Sequence, residues 1–286
     1  MPAPPSPLPA VAYQGEPGAF GEEAVGRHFS RAGLRVEAVG FPTFADTFAA
    51  FRSGRCAYAV VPVENSYAGS VHEVYDLLLE TPEAVVVGEE VLAVHHCLLA
   101  PPGTRLEDVR DVLSHPQALA QCAPFLRAHG LRPVAAHDTA GAAREVAERR
   151  PPATAAIAGR GAAERYGLEV LAADIEARHD NRTRFLVLGR EAAPPPGEGA
   201  KTSVVLWIDH VPGALARCLV AIAACGLNLT KIESRPSREG PWEYVFYLDF
   251  AGDPATEAGA RALDALRANA RHVRLLGAYA AAAEPA

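Results

Sequence analysis

Lysine is nearly missing from this 286-residue chain. It occurs only at Lys201 and Lys231, and arginine supplies the remaining positive charge. No block rich in Lys and Arg exists, and the formal net charge is -7. Sequence-independent nucleic-acid binding needs a basic footprint, so no nucleic-acid partner is expected. No run approaches the roughly 20 apolar residues that a membrane-spanning helix requires, so no membrane partner is expected either. The Pro-rich start, Met1 to Ala10, lacks the charged and apolar regions of a signal peptide and reads as a disordered lead-in. The five cysteines (Cys56, Cys97, Cys122, Cys218 and Cys225) are odd in number, scattered and free of any Cys-x-x-Cys spacing. They read as reduced, buried thiols of a cytoplasmic protein.

Several chemical signatures are also missing. No lysine follows the Gly-rich turn near the N-terminus, so it is not a P-loop, and Gly-x-Gly-x-x-Gly is absent. A dinucleotide-dependent dehydrogenase is therefore disfavoured. Neither Gly-x-Ser-x-Gly nor His-Glu-x-x-His occurs. His95 and His96 fall in the apolar run Leu92 to Leu99, which reads as a strand. Adjacent strand residues point to opposite faces, so the pair is not expected to chelate one ion, and no metal is expected.

What the chain does have is apolar content: 49% of its residues are hydrophobic. That suffices for a sizeable core and, at this length, suggests about two domains. The Pro- and Gly-rich stretch 191–200 reads as a linker. Before it, strand-like and helix-like segments alternate. Val11–Tyr13, Val36–Val39 and Tyr58–Val63 read as strands, and Glu22–Ser30 as a helix. Thr43 reads as an N-cap, with Asp46 three residues on and Phe44, Phe48 and Phe51 at helical spacing. A helix is expected over Val71–Leu79, and one continuous helix from Pro116 to about Ala128. Asp138 or Thr139 is expected to cap Ala140–Arg149. Repeated β-α alternation in two sets predicts α/β architecture with mainly parallel sheet and two lobes around a cleft. Ligands of such folds sit at the carboxyl ends of strands.

After the linker the order is β-α-β-β-α-β, the ferredoxin-like plan. Leu215, Leu219 and Ile222 are the expected sheet-facing stripe of its first helix. Asp253-Pro254 is the expected start of its second.

Four turns could face the cleft. Gln14 to Phe20 could cradle an anion on its glycines and the next helix N-terminus, or be a tight structural turn. Val61 to Ser66 ends a buried strand in three polar residues, Glu64, Asn65 and Ser66. These could meet a ligand or form an Asx-turn. Ser114 to Ala118 contains His115, a residue type able to act near neutral pH but more often structural. Asp180 to Phe185 places two arginines around a hydroxyl residue, where one could clamp a carboxylate.

In this order, these segments resemble the prephenate dehydratase family. The resemblance runs from Val11 to about Tyr279. It rests on Tyr13 to Phe20, Val61 to Ser66 with Gly69-Ser70-Val71, Ser114 to Ala118, Asp138-Thr139 with Ala142-Ala143, and Asp180 to Phe185. Thr183-Arg184-Phe185 is the family's catalytic signature. Gly213 to Ala216 and Glu233-Ser234-Arg235-Pro236 resemble the two motifs of its regulatory ACT domain. One departure is visible: the chain has Ala19 and Gly21 where the family often has Thr and Ser.

The resemblance implies a two-lobed, periplasmic-binding-protein-like (type II) catalytic domain over residues 11–190. The linker 191–200 follows, then a ferredoxin-like βαββαβ ACT domain over 201–280 and a tail, 281–286. It implies the decarboxylating dehydration of prephenate to phenylpyruvate in phenylalanine biosynthesis. Aromatisation drives that reaction, so no cofactor is required. Thr183 would donate to the departing hydroxyl, Glu64 would resupply the proton, and Arg184 would anchor a carboxylate or orient Glu64. Asn65, Ser66, Ser114, Gln117 and Thr139 would add polar contacts, and Phe185 would pack beneath them. L-Phenylalanine would bind paired ACT domains of a homodimer or homotetramer. Its contacts would come from the turn Asp209, Gly213, Ala214 and Leu215 and, from a partner chain, Asn228, Leu229 and Thr230. The close alternative is an arogenate dehydratase. An alternative of another class is a non-catalytic small-molecule sensor, which would need no Thr-Arg-Phe triplet.

Overall fold

The computed structural model describes residues 8–193, 197, 199–237, 240 and 242–283. Most of the expected lead-in, linker residues 194–196 and 198, and the end of the tail lie outside them.

The first lobe begins with β1 (Ala10–Gln14), α1 (Phe20–Arg31), β2 (Glu37–Phe41), α2 (Phe44–Arg52) and β3 (Tyr58–Asn65). β1 pairs in parallel with β2 and β3. Thr43 caps α2 as its spacing to Asp46 predicts. Its hydroxyl oxygen accepts from the Asp46 amide at 3.0 Å and donates to the Asp46 carboxylate at 2.7 Å. Such a cap stabilises by about 1 kcal/mol. Phe48 and Phe51 are fully buried against the sheet side. The two-residue β4 (Gly69–Ser70), α3 (His72–Leu79) and β5 (Val85–Ala93) follow.

The chain then builds a second lobe. Its elements are β6 (Cys97–Ala100), β7 (Asp111–Ser114), α4 (Pro116–Gln121), α5 (Ala123–Ala128), β8 (Arg132–Ala135), α6 (Thr139–Arg149), β9 (Thr154–Ala158), α7 (Arg160–Tyr166) and β10 (Glu169–Ala172). The strand order is β10-β6-β9-β7-β8. β7 runs parallel to β8 and β9, while β6 is antiparallel to β9 and β10, so this sheet is mixed. Strand alternation sends Leu98 and Ile157 into one core, with Val112 and Leu119. It sends Leu99 and Ala156 into the other, with Ala142 and Val146.

Two expectations change here. The single helix from Pro116 is two helices, broken at Cys122. His95 and His96 lie in neither strand but in the link between β5 and β6. The expectation for the cap of α6 narrows to Asp138, whose carboxylate accepts from the Gly141 amide at 2.6 Å.

β11 (Arg182–Gly189) returns to the first sheet, whose order is β2-β1-β3-β11-β5, with β4 beside β3. The rest is β12 (Ala200–Trp207), α8 (Ala214–Ala224), β13 (Leu229–Pro236), β14 (Tyr244–Ala251), α9 (Glu257–Asn269) and β15 (His272–Ala280). The order β13-β14-β12-β15, all antiparallel, is that of a ferredoxin-like sheet. The α8 stripe is turned by one residue from the expected one. Ala214, Cys218 and Ile222 are buried, while Leu215 and Leu219 are half-buried. Asp253-Pro254 forms a turn ahead of α9, and the cap is Thr256, whose oxygen accepts from the Gly259 amide at 3.2 Å.

By contacts the chain falls into two compact units. The described residues up to Gly69 join Val91–Phe185, and Ser70–Glu90 joins the described residues from Leu186 onward. Within the second unit α3 lies on the ferredoxin-like region. Arg235 grips Asp76 with two hydrogen bonds of 2.8 and 2.7 Å, and the Tyr247 hydroxyl donates to the Tyr75 carbonyl at 2.6 Å. Arg274 donates to the carbonyls of Leu78 and Thr81 at 3.0 and 2.7 Å, at and just past the end of α3. Among the described residues no helix is long and apolar enough to cross a membrane.

Candidate functional site

The strand β3 ends in Asn65, and the side chain of Asn65 organises the region. Its Oδ1 accepts from the amides of Tyr67 at 3.0 Å and Ala68 at 2.9 Å, an Asx-turn. Those two donors fix which end of the amide is oxygen. Nδ2 therefore points the other way. It donates to Thr183 Oγ1 at 2.9 Å, Asn181 Oδ1 at 2.8 Å and the Arg182 carbonyl at 3.2 Å. The Asx-turn reading of this segment holds at Asn65, whose nitrogen is meanwhile spent on the chain's own acceptors.

The same polarity propagates. Asn181 accepts on Oδ1, so its Nδ2 donates, reaching Gln121 Oε1 at 3.1 Å. Gln121 Oε1 also lies 2.8 Å from His96 Nε2, which must then carry the proton. Nδ1 of the buried His96 has no hydrogen-bond partner. Burial pulls the imidazole below its ordinary pKa, with the Gln121 hydrogen bond opposing, so the ring is neutral. Phe20 packs edge-on against it at 6.0 Å. A hydrogen-bonded chain of defined direction thus runs from two backbone amides to Thr183 on one side and His96 on the other.

Around Thr183, β3 and β11 are neighbours in one sheet. The Ser66 amide donates to the Arg182 carbonyl at 2.9 Å, and the Asn65 side chain meets that of Thr183. Glu64 is half-buried in β3 and Arg184 half-buried in β11. Thr183 Oγ1 accepts from Asn65, which leaves its proton available to donate outward.

Other residues singled out in the sequence have different surroundings. Ser66 is exposed, and its hydroxyl accepts from the Arg182 amide at 3.0 Å, tying the turn to β11. Ser114 is fully buried and gives its proton to the Ile157 carbonyl at 2.6 Å, an inter-strand tie. Gln117 is exposed, and His115 caps α4, its Nδ1 accepting from the Gln117 amide at 3.2 Å. Thr139 is half-buried at the first position of α6, and Phe185 is core.

In the N-terminal turn the Gly18 amide donates to the Glu22 carboxylate at 2.5 Å. Gly18 has φ +88, and a Cβ there would stand 2.8 Å from Ala162 Cα, so this turn needs glycine for a close approach.

A groove of about 540 Å³ lies beside this network, lined by Tyr67, Gln117, Gln121, Arg127, Arg178 and Asn181 among others. Of the site residues read from the sequence, Gln117 lines it; Thr183 is linked to its wall through Asn65, which hydrogen-bonds both Thr183 and the lining residue Asn181. Arg178 lies over the Tyr67 ring at 4.4 Å, and the Tyr67 hydroxyl donates to Asp180. The sequence reading missed Asn181, Gln121, His96 and Tyr67. Asn181 lies inside the Asp180 to Phe185 segment, and Gln121 sits one helical turn after Gln117, so periodicity alone could have flagged both.

In the ferredoxin-like region Asp209 is exposed and accepts from the Val211 amide at 2.8 Å through its carbonyl. Gly213 is the N-cap of α8 at φ +78, Ala214 is buried and Leu215 half-buried. Asn228 and Thr230 are exposed and Leu229 is half-buried; the Thr230 hydroxyl donates to the Asp249 carbonyl at 3.2 Å.

A family model for prephenate dehydratase matches residues 11–193. The chain is 44% identical over 279 residues to arogenate dehydratase/prephenate dehydratase 2, chloroplastic, of Arabidopsis thaliana, covering 94% of this chain and 72% of that protein. A solved prephenate dehydratase from Arthrobacter aurescens in complex with L-Phe superposes with a TM-score of 0.86 at 32% identity, over 95% of this chain and 89% of that one. A structure described as GqqA, a novel type of quorum quenching acylase, superposes with a TM-score of 0.86 at 38% identity, over 95% and 98%. The match over residues 11–193 and the near full-length likeness place the chain in the prephenate dehydratase family, a family of dehydratase lyases.

Proposed function

We propose that this chain converts prephenate to phenylpyruvate. The observation that carries the reading is the Asn65 Nδ2 to Thr183 Oγ1 hydrogen bond of 2.9 Å. Donation into Oγ1 polarises the hydroxyl and strengthens it as a donor. In the reaction the bond between C1 and its carboxylate breaks, and carbon dioxide leaves. The electron pair enters the ring, which becomes aromatic as the C4 hydroxide departs. Thr183 gives that oxygen its proton and regains one from water or a carboxylic acid. Arg184 anchors a carboxylate or orients Glu64, the candidate acid. Asn65 positions Thr183, and Gln117, Ser66 and Thr139 supply polar contacts. Ser114 and Phe185 support them from the core.

The domain assignment we propose is catalytic over 11–190 and regulatory over 201–280, in a cytoplasmic homodimer or homotetramer. L-Phenylalanine would bind at Asp209 to Leu215 with Asn228, Leu229 and Thr230 of a second copy. The L-Phe complex of the Arthrobacter aurescens relative supports this reading. Inhibition requires that phenylalanine bind two global states unequally.

Arogenate is the second substrate reading, favoured by the name of the Arabidopsis thaliana relative. We do not carry over the acylase activity named for GqqA. Asn65 donates to the Thr183 oxygen, where an acyl-transfer nucleophile needs a base that takes its proton.

The test offers prephenate and arogenate side by side, with and without phenylalanine, to the parent and to Thr183→Ala. Phenylpyruvate from prephenate is expected, with turnover falling on the order of a hundredfold in the variant, the cost of one lost transition-state donor. A Thr183→Ala enzyme within a few-fold of the parent would overturn the assignment.

A further inference from the structure

We propose that His95, Asp174 and Glu176 form a binding site for a divalent metal of the zinc class, with His179 as the fourth ligand. The inference does not rest on the dehydratase reading, although Glu176 also lines the groove described above. His95 stands in the link between β5 and β6; the other three stand in the loop between β10 and β11. His95 Nδ1 lies 2.8 Å from Glu176 Oε1 and 3.5 Å from Asp174 Oδ1, and His179 Nδ1 lies 3.5 Å from the same Glu176 oxygen. One ligand atom from each of His95, Asp174 and Glu176 lies within 4.8 Å of the others.

The two 3.5 Å separations fit a tetrahedral ion, and the 2.8 Å His95–Glu176 hydrogen bond would open by roughly half an ångström to admit one. Ligand atoms about 2.0–2.2 Å from zinc at tetrahedral angles stand roughly 3.3–3.6 Å from one another. Imidazole and carboxylate together suit zinc and its neighbours, whereas calcium and magnesium need shells of oxygen.

Glu176 argues for more than a surface ion pair. Its side chain is 1% exposed. Its Oε2 is held by the His96 amide at 2.8 Å, which turns Oε1 toward His95 and His179. An outer hydrogen bond that orients a ligating carboxylate is a regular part of metal sites. Burial pushes this carboxyl up, but the His96 amide and the His95 ring outweigh it and hold it below its ordinary value. A lone His95–Glu176 pair would not bring Asp174 and His179 to the same place.

The experiment uses the tag-free full chain, stripped with chelator and titrated with cobalt(II), then zinc(II). One cobalt per chain is expected, with the intense visible bands of tetrahedral cobalt, and zinc should displace it. His95→Asn and Asp174→Asn should each weaken binding by more than ~10-fold, the lower end of what even an indirect partner's loss costs. His129→Ala, remote from the cluster in sequence, should leave binding unchanged. Both tested ligands are substantially exposed, so the variants should keep the parent's far-ultraviolet dichroism. No saturable binding at one ion per chain overturns the proposal, as does binding that survives the double variant or is lost with His129→Ala.

Discussion

At the scale of single residues, one amide explains most of the candidate site. Asn65 makes five hydrogen bonds, two received by its oxygen and three given by its nitrogen. With only two protons on Nδ2, at least one of those three bonds is shared. Replacing it strips Thr183 of its donor and leaves Asn181 Oδ1 unpaired inside the protein. Asn65→Ala should therefore lower both stability and turnover. A stability loss of about 1–3 kcal/mol is expected from the orphaned buried group, read by urea unfolding. If Asn65 positions Thr183, kcat should fall more than KM rises. A change confined to KM would make Asn65 a substrate contact instead. His96 belongs to the same lesson. Its Nε2 proton follows from the Asn65 amide through two intervening side chains and its neutral state from burial, and nothing in its own neighbourhood in sequence says so.

At the scale of elements, local rules worked where the partners are local. The Thr43 cap lies three residues from Asp46, and both hydrogen bonds form. The start of α9 shows the rule's failure. Asp253-Pro254 has the composition of a cap followed by a first helical residue, but the Asp253 carboxylate accepts from the Ala255 amide and closes a turn instead. Thr256 then takes the cap. Thr256→Ala should cost about 1 kcal/mol of stability, measurable as a shift in the urea midpoint without a change in slope. The α8 stripe held in part. Ile222 is buried and Leu219 packs half-buried against the same core, but the other buried positions are the small Ala214 and Cys218, which apolar size alone does not single out. The break at Cys122 has a local cause: Pro124 has no amide to donate back along α4 and stands in the first turn of α5. The Gln121 carbonyl at the end of α4 accepts instead from the Ala177 amide at 2.9 Å.

At the scale of the whole molecule, the linker and the contacts divide the chain differently. Ser70–Glu90 precedes the linker in sequence but belongs by contacts with the C-terminal region. Tyr75 is buried against Tyr247, ring to ring at 4.8 Å, and Asp76 is gripped by Arg235. Glu89 pairs with Lys201 at 2.6 Å. A chain ending at Ala193 would expose Tyr75, Leu78 and Val86 and strand the Asp76 and Glu89 carboxylates. It should melt well below the full chain or fail to stay in solution, as thermal unfolding and sedimentation would show. An unchanged melting temperature would mean that residues 11–190 hold Ser70–Glu90 without the C-terminal region.

The order of elements, the βαββαβ plan of the last 80 or so residues and most helix starts were determined by the sequence itself. They depend on partners one to four residues away, on period-two and period-3.6 apolar patterns, and on proline and glycine. The family was legible too, because its motifs are short and keep their order. What only the tertiary structure decided is who meets whom. Asn65 and Thr183 are 118 residues apart and share a hydrogen bond because β3 and β11 are neighbours in one sheet. Ser114 reads like a site residue but is spent inside the sheet, while Gln121 and Asn181, to which the reading gave no role, join the network. Strand order sets such pairings, and no local pattern encodes strand order.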